Sequence, residues 1–108
     1  MGWKKKVKIT VLKRLSKKEL YNKSVQELAG GEDQCEVLKE GQEFIVGDDG
    51  LMPKGFCGSA WADIYCRYRH LSLGGDYPWI VKKGTAVTCC GDGFRPVLFK
   101  LERIDDKK

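Results

Sequence analysis

A chain of 108 residues, with 42% hydrophobic and 32% charged residues, has the composition of a single globular domain. This composition excludes a disordered chain, and no apolar run reaches the roughly 20 residues that a membrane-spanning helix requires. The net charge is +5, but the distribution of the charge along the chain is more informative than this total. We predict one domain over residues 1–108, with residues 1–5 and 105–108 frayed.

The first predicted elements are a strand and a helix. Residues 6–11 alternate between polar and apolar side chains, which is typical of a strand with one buried face. Ser16 and Glu19 then have the spacing of a capping box, and we predict a helix from about Lys17 to Ala29. Residues 35–38 follow as a second extended segment.

The middle of the chain predicts a short strand and then a long helix. Residues 44–46 form the short strand, which ends at an Asp-Asp-Gly turn. Segment 55–70 is the central helix around which we expect the other elements to pack. Its apolar residues recur at spacings of three and four, at Cys57, Ala60 or Trp61, Ile64, Tyr68 and Leu71.

The last elements predict a β-hairpin. Residues 85–90 and 94–104 form its strands around Gly91-Asp92-Gly93, and Pro96 indicates a bulge or an edge position near the turn. The predicted fold class is therefore α+β. It has a small, mostly antiparallel sheet of four or five strands and two helices, the second of which packs on the sheet.

Charge is concentrated in two blocks of opposite sign. Residues 4–23 contain nine basic residues and one acid, whereas residues 32–49 contain seven acids and one lysine. A basic block can indicate a nucleic-acid surface. The interpretation that we favour is that the two blocks lie side by side and neutralise each other across neighbouring strands.

Five cysteines are an odd number, and no secretory signal precedes them, so we expect a cytoplasmic protein with reduced thiols. No C-x-x-C pair is present, which removes the signature of zinc-ribbon and thioredoxin proteins. Four of the thiols lie on elements that a compact domain can bring together: Cys35, Cys57, Cys89 and Cys90. If these thiols converge, they would form either a site for a soft metal such as zinc or iron or a redox-reactive cluster. The alternative, to which we give equal weight, is that the cysteines are simply small apolar side chains buried in the core.

Cys57 is the one candidate for catalysis. It lies at the start of the central helix, where the helix dipole and free amides favour a thiolate. A small thiol-dependent enzyme or redox protein that uses Cys57 is therefore a second hypothesis. In the metal hypothesis, Phe56 and Trp61 would form the walls of the site.

Two other groups of residues have a functional and a structural interpretation. Asp63, Cys66 and His70 share one helix face and could ligate a metal, but we favour a polar face with a semi-exposed thiol. Aromatic side chains could stack on nucleic-acid bases, but we favour positions in the core or at its rim. These aromatic residues are Trp61, Tyr65, Tyr68, Tyr77 and Trp79.

Four blocks carry a resemblance that covers nearly the whole chain: residues 7–13, 35–44, 55–65 and 89–101. They resemble an uncharacterised family of small, single-domain proteins found mainly in anaerobic bacteria and archaea. The resemblance implies that Cys35, Cys57 and Cys90 are the family-type thiols, often joined by Cys89. It implies no activity, and Cys66 and His70 fall outside its motifs.

The leading hypothesis is a thiol-rich binding module that holds zinc or iron through Cys35, Cys57, Cys89 and Cys90. We slightly favour a protein that is not an enzyme, because no catalytic motif is present. The alternatives are the Cys57 enzyme and a basic adaptor that uses residues 4–18 to bind nucleic acid or an acidic protein. A homo-oligomer is left open, a membrane partner is not expected, and nucleic acid is the less favoured partner.

Overall fold

The computed structural model describes residues 4–104, and this part of the chain contains four strands and three helices. The strands are β1 (Lys6–Arg14), β2 (Glu43–Val46), β3 (Thr85–Cys89) and β4 (Val97–Ile104). The helices are α1 (Lys17–Leu20), α2 (Lys23–Gln26) and α3 (Gly58–Ser72). This mixed architecture confirms the predicted α+β fold class. The predicted fraying of residues 1–3 and 105–108 lies outside the described residues.

The sheet has the order β2-β1-β4-β3, and every neighbouring pair is antiparallel. The alternation predicted for β1 is confirmed, because Val7, Ile9 and Val11 are buried on one face. In the ladder, Ile9 lies opposite Phe44 of β2 and Leu101 of β4. One face of the sheet is therefore apolar along its whole length, and this face needs a cover.

The long helix α3 supplies that cover. Its buried residues are Ala60, Ile64, Tyr68, Leu71 and Ser72, which confirms the predicted apolar face. The C-terminal end of α3 lies at the start of β1, where the Lys5 amide donates to the Ser72 carbonyl at 2.7 Å. Lys5 is therefore held in place, contrary to the predicted fraying of residues 1–5. None of the helices within residues 4–104 is long and apolar enough to cross a membrane.

The predicted helix over residues 17–29 is wrong in its extent, because the chain forms two helices of four residues each. The capping box at Ser16 is present as predicted, but the backbone of Tyr21 is extended. The Tyr21 hydroxyl donates to the Gly93 carbonyl at 2.5 Å, and its ring contacts Phe94. These contacts with the hairpin loop draw Tyr21 out of the helix, and a new cap at Asn22 begins α2.

The predicted extended segment at residues 35–38 forms no strand. The Cys35 carbonyl instead accepts a hydrogen bond from the Arg14 guanidinium at 2.8 Å. The predicted hairpin is confirmed, with β3 and β4 paired over five positions. Pro96 lies just before β4, while the one irregularity of the β1–β4 ladder lies between Val11 and Lys13.

The two charge blocks lie side by side, as favoured from the sequence. The Lys8 ammonium lies 3.6 Å from Glu43 on β2 and 3.9 Å from Glu102 on β4. Arg14 lies 2.9 Å from Glu40. Lys8 and Arg14 of the basic block are therefore paired with acids of the second block, which weakens the case for an adaptor surface along β1.

Candidate functional site

The predicted thiols are distributed around the hairpin end of the sheet, where β3 ends and β4 begins. Cys89, the last residue of β3, is exposed, whereas Cys90 is half-buried and contacts the core. This difference follows from the alternation of side chains along a strand. The Cys90 sulfur accepts a hydrogen bond from the Val97 amide at 3.4 Å, so it helps to close the hairpin.

Cys35 and Cys57 are also half-buried against the core. Cys57 is the N-cap residue of α3, and its side chain makes no capping hydrogen bond. Cys35 lines a pocket of about 250 Å³ together with Asp92 and Arg95 of the hairpin loop. Cys35 thus faces a cavity that also contains a cation, Arg95.

No metal-ligand set is assembled within residues 4–104, because no group of three or more His, Cys, Asp or Glu side chains could hold a metal ion. The site predicted at Cys35, Cys57, Cys89 and Cys90 therefore stays a prediction from the sequence. Phe56 and Trp61, its predicted walls, contact each other edge to face beside Cys57. Phe56 also contacts Phe99 of β4, which places it in the core.

The polar stripe of α3 serves structural contacts. The Asp63 carboxylate accepts a hydrogen bond from the Gly91 amide at 2.6 Å and thereby ties α3 to the hairpin loop. Cys66 is exposed, as expected for a semi-exposed thiol. The His70 ring contacts Tyr77, with 4.7 Å between the ring centroids. The three side chains of this stripe thus have separate environments.

The predicted aromatic residues fall into three classes of exposure. Tyr68 is buried in the core, whereas Trp61, Tyr65 and Tyr77 are half-buried at its rim. The favoured interpretation of core or rim therefore holds for these four. It is wrong for Trp79, which is 71% exposed. An exposed tryptophan is the largest departure from the pattern that the sequence predicts.

Trp79 is the outermost ring of a cluster of contacting rings that we call the aromatic platform, formed by His70, Tyr77 and Trp79 with Arg67. The Tyr77 and Trp79 ring centroids lie 5.1 Å apart, and the Arg67 guanidinium lies 5.7 Å from the Tyr77 centroid. Arg67 and His70 are three residues apart on α3, so they lie on one face of that helix. The loop after α3 then places Tyr77 and Trp79 over this face.

Asp76 and Arg103 close that loop, which spans residues 76–84. The Asp76 carboxylate accepts a hydrogen bond from the Gly84 amide at 2.7 Å and another from the Arg103 guanidinium at 3.1 Å. Arg103 also donates to the Gly75 carbonyl at 2.7 Å. The hydrogen bond from the Gly84 amide, followed by the interaction with Arg103, lowers the pKa of Asp76. Asp76 at the start of the loop is therefore joined to Gly84 at its end and to Arg103 on β4, which closes the loop.

Two glycines make this packing possible. A side chain at Gly75 would collide with the His70 ring, and the His70 Nε2 atom lies 3.0 Å from the Asp76 carbonyl oxygen. Gly84 is buried at φ +77°, in the left-handed region that favours glycine, and a Cβ there would lie 3.3 Å from Arg103. Both residues let the loop approach its neighbours closely.

The surroundings of the aromatic platform are cationic. Besides Arg67, the loop carries Lys82 and Lys83, and the charge of Lys83 contributes to the lowered pKa of Asp76. Lys82 is mostly exposed and lies 3.4 Å from Glu102. The acid of this loop, Asp76, is engaged by Arg103. The platform can therefore offer a flat apolar ring with positive charge beside it.

Only weak sequence signals pointed to this site. The sequence shows Gly74-Gly75-Asp76 directly after the helix and an isolated Gly84 before β3, which together mark a long loop. The loop that carries Trp79 is closed by the contact between Asp76 and Arg103, which are 27 residues apart in the chain. Sequence reasoning had no means of pairing these two residues.

Comparison with known proteins assigns no function to this site. No family model, no curated protein and no solved structure matches this chain. The resemblance of its sequence blocks to a family of small anaerobe proteins therefore stays a prediction. The function has to be argued from the residues of the site.

Proposed function

We propose that this protein binds single-stranded nucleic acid through the aromatic platform, with a base stacked on Trp79 and neighbouring phosphates on the adjacent cations. The observation that carries the proposal is the exposed Trp79 ring, which contacts Tyr77 with 5.1 Å between the ring centroids. Proteins that bind single strands combine exposed aromatic rings with positive charge along the backbone path. Both parts are present in the loop 76–84 and the adjoining face of α3.

Exposure of this ring has a cost that a purely structural role does not explain. A tryptophan buries up to about 250 Å² when it packs fully, and its burial stabilises a fold. Trp79 leaves 71% of its surface in solvent although the loop around it is fixed by Asp76 and Arg103. A fixed, exposed ring loses little conformational freedom when a ligand stacks on it, which favours binding.

The cations support a polyanion as the ligand. Arg67, over the Tyr77 ring, combines a positive charge with a planar group that stacks on aromatic faces. Lys82 and Lys83 follow Trp79 by three and four residues and extend the positive charge along the loop. A single strand offers a base and a phosphate at every nucleotide, which matches this combination of groups.

The proposal departs from the expectation that nucleic acid is the less favoured partner. That expectation concerned the basic block of residues 4–23, in which Lys8 pairs with Glu43 and Glu102 in the sheet. The aromatic platform uses other residues at the end of the sheet where β4 finishes. The basic block and the proposed site are thus separate surfaces.

Fluorescence anisotropy with labelled 12-nucleotide dT and rU strands tests the proposal. We expect saturable binding that weakens with salt, and a loss of about 10- to 100-fold in affinity for Trp79→Ala, since one stacked base contributes roughly 1–3 kcal/mol. Val81→Ala is the matched control, because Val81 lies in the same loop and is 98% exposed. Equal affinities for the wild type and Trp79→Ala would contradict the proposal.

An acidic protein partner is the competing outcome, and the same assay separates it. Labelled polyglutamate carries the negative charge without the bases. If polyglutamate binds as tightly as the oligonucleotides at equal charge and salt, base stacking on Trp79 does not contribute and the nucleic-acid proposal fails. We expect polyglutamate to bind at least 10-fold more weakly.

Thiol chemistry at the hairpin end is a second candidate function. It is supported by three half-buried thiols that contact one core cluster, of which Cys35 also lines a pocket with Arg95. The metal form of this hypothesis predicts stoichiometric zinc or iron in protein purified without oxygen, and metal well below one equivalent would contradict it. The enzyme form predicts one thiol that is alkylated at a pH well below about 8.5, which is the ordinary pKa of a cysteine.

A further inference from the structure

A pocket lies at the opposite end of β1 from the aromatic platform, between α1, α2 and residues 29–33. We infer that this pocket, which we call the lysine pocket, binds the phosphate group of a small metabolite. Its volume is about 450 Å³. Its polar lining consists chiefly of Lys17, Lys18, Lys23, Gln26, Glu27 and Asp33.

Lys17 is the residue that makes this pocket unusual. It is only 8% exposed, and its ammonium group donates one hydrogen bond, to the Ala29 carbonyl at 2.9 Å. An ammonium group has three N–H donors, and a buried charge is costly unless it is paired. Within residues 4–104, Lys17 has no ion pair with a carboxylate. An anion in the pocket would supply the missing partner.

The two acids of the pocket are engaged elsewhere. Glu27 lies 3.8 Å from the Lys23 ammonium, one turn away on the same segment. The Asp33 side chain accepts a hydrogen bond from the Lys18 amide at 3.2 Å. Neither contact involves the Lys17 ammonium, so a ligand can reach it without displacing these carboxylates. The three lysines outnumber these two acids, so the pocket keeps a positive excess.

The walls of the pocket are held in place by backbone contacts. The Lys17 amide donates to the Asp33 carbonyl at 3.1 Å, which joins α1 to the far wall. Gly31, at φ +82°, lies against Arg95, whose Nη1 atom would be 3.5 Å from a Cβ at that position. Arg95 therefore adds a further cation behind this wall, although it also pairs with Asp92 at 3.5 Å.

The chemistry of the lining favours phosphate over other ligands. Lysine ammonium groups act as point charges that bind phosphate, and a dianion can contact more than one of them at once. The residues named above include no aromatic ring on which a base or a sugar could stack. A phosphate attached to a small molecule therefore fits this lining better than a nucleotide strand does.

An NMR titration of the ¹⁵N-labelled protein with inorganic phosphate, at constant ionic strength, tests the inference. We expect saturable shifts confined to residues 17–33 and an affinity that falls at least 10-fold in Lys17→Met, which keeps the apolar stem of the side chain. Lys18→Met and Lys23→Met should each weaken binding about three-fold, and because both side chains are exposed, we expect neither substitution to unfold the protein. Lys54→Met is the control, because Lys54 is exposed outside the pocket.

Three outcomes would overturn the inference: shifts that do not saturate, shifts spread over all lysines, or an unchanged affinity in all three pocket variants. A further arm distinguishes the two phosphate sources. An oligonucleotide should not displace phosphate from the pocket, and Trp79→Ala should bind phosphate with wild-type affinity. Displacement by the oligonucleotide would assign the pocket to nucleic acid and contradict a small-molecule site.

Discussion

The two ends of the sheet differ in what they present to solvent. At one end, where β1 begins and β4 finishes, the Asp76–Arg103 pair fixes a loop that exposes Trp79. At the other end, β1 finishes and β4 begins. There Cys90 is half-buried beside the hairpin loop, and Lys17 is buried in the wall of the lysine pocket. One end therefore displays a flat apolar surface, and the other encloses polar groups.

This difference separates two kinds of recognition. An exposed ring held by a rigid loop can stack on an extended ligand that lies across the surface. A pocket lined by lysines can only accept a compact ligand that fits inside it. The core between the two ends, formed by α3 and the inner face of the sheet, keeps both in fixed positions. Substitutions can therefore disturb each end separately.

The largest expected effect belongs to the core that both ends share. Ile64 is fully buried in the middle of α3, and Ile64→Ala should cost about 2–5 kcal/mol of unfolding free energy, because it removes packed methyl groups and leaves a cavity. Trp79→Ala should change this free energy by no more than about 0.5 kcal/mol. Urea denaturation followed by circular dichroism measures both. Similar losses for the two variants would mean that the Trp79 ring is part of the core.

The next effect concerns the pair that fixes the loop of the aromatic platform. Arg103→Met keeps an apolar stem but removes donors to the Leu71 and Gly75 carbonyls and to Asp76, and it should cost about 1–3 kcal/mol. Amide hydrogen exchange should speed up in residues 76–84 and stay unchanged in residues 17–33. Equal acceleration at both ends would show that the loop is not a separate unit.

A smaller effect is expected from the contact that ties α3 to the hairpin. Asp63→Ala removes the acceptor of the Gly91 amide, and we expect a cost of about 0.5–1 kcal/mol, since the pair is exposed. The matched control is Ser59→Ala, an exposed position one turn earlier on α3. A faster alkylation of Cys90 in Asp63→Ala than in the control would show that the hairpin end has loosened. Identical rates would show that this contact does not hold the loop.

The smallest effect is a pH dependence confined to the platform loop. Asp76 has a lowered pKa in the folded protein, so its contribution is present above the ordinary value of 3.8 and is lost as the pH falls through the lower folded value. The Gly84 amide signal should therefore shift in acid, below about pH 3.8. Asp76→Asn should abolish this shift, and its persistence there would assign it to another group.

Local patterns in the sequence predicted most of the fold. The alternation in β1, the apolar spacing of α3, the Ser16 capping box and the hairpin all depend on residues close together in the chain, and all are confirmed. The helix over residues 17–29 failed because Tyr21 contacts Gly93, 72 residues away. A contact at that separation leaves no trace in local spacing.

The sites were less predictable for the same reason. Trp79 is a residue that its type assigns to the core or rim, yet it is 71% exposed on a loop that Arg103 holds from a distant strand. Lys17 has the helix propensity of any surface lysine, yet the distant Ala29 carbonyl holds it inside a pocket. The predicted convergence of Cys35, Cys57, Cys89 and Cys90 stays a prediction, because the spacing of ligands in the chain does not fix the precise distances between sulfurs that a metal site requires.

One measurement tests the contrast between the two ends most directly. In a ¹⁵N NMR titration with a 12-nucleotide dT strand, the indole N–H of Trp79 and the amides of residues 76–84 should show the largest shifts. Residues 17–33 should remain unchanged at saturation. Shifts centred on residues 17–33, or on the hairpin loop at residues 90–96, would contradict the account of the aromatic platform as the nucleic-acid site.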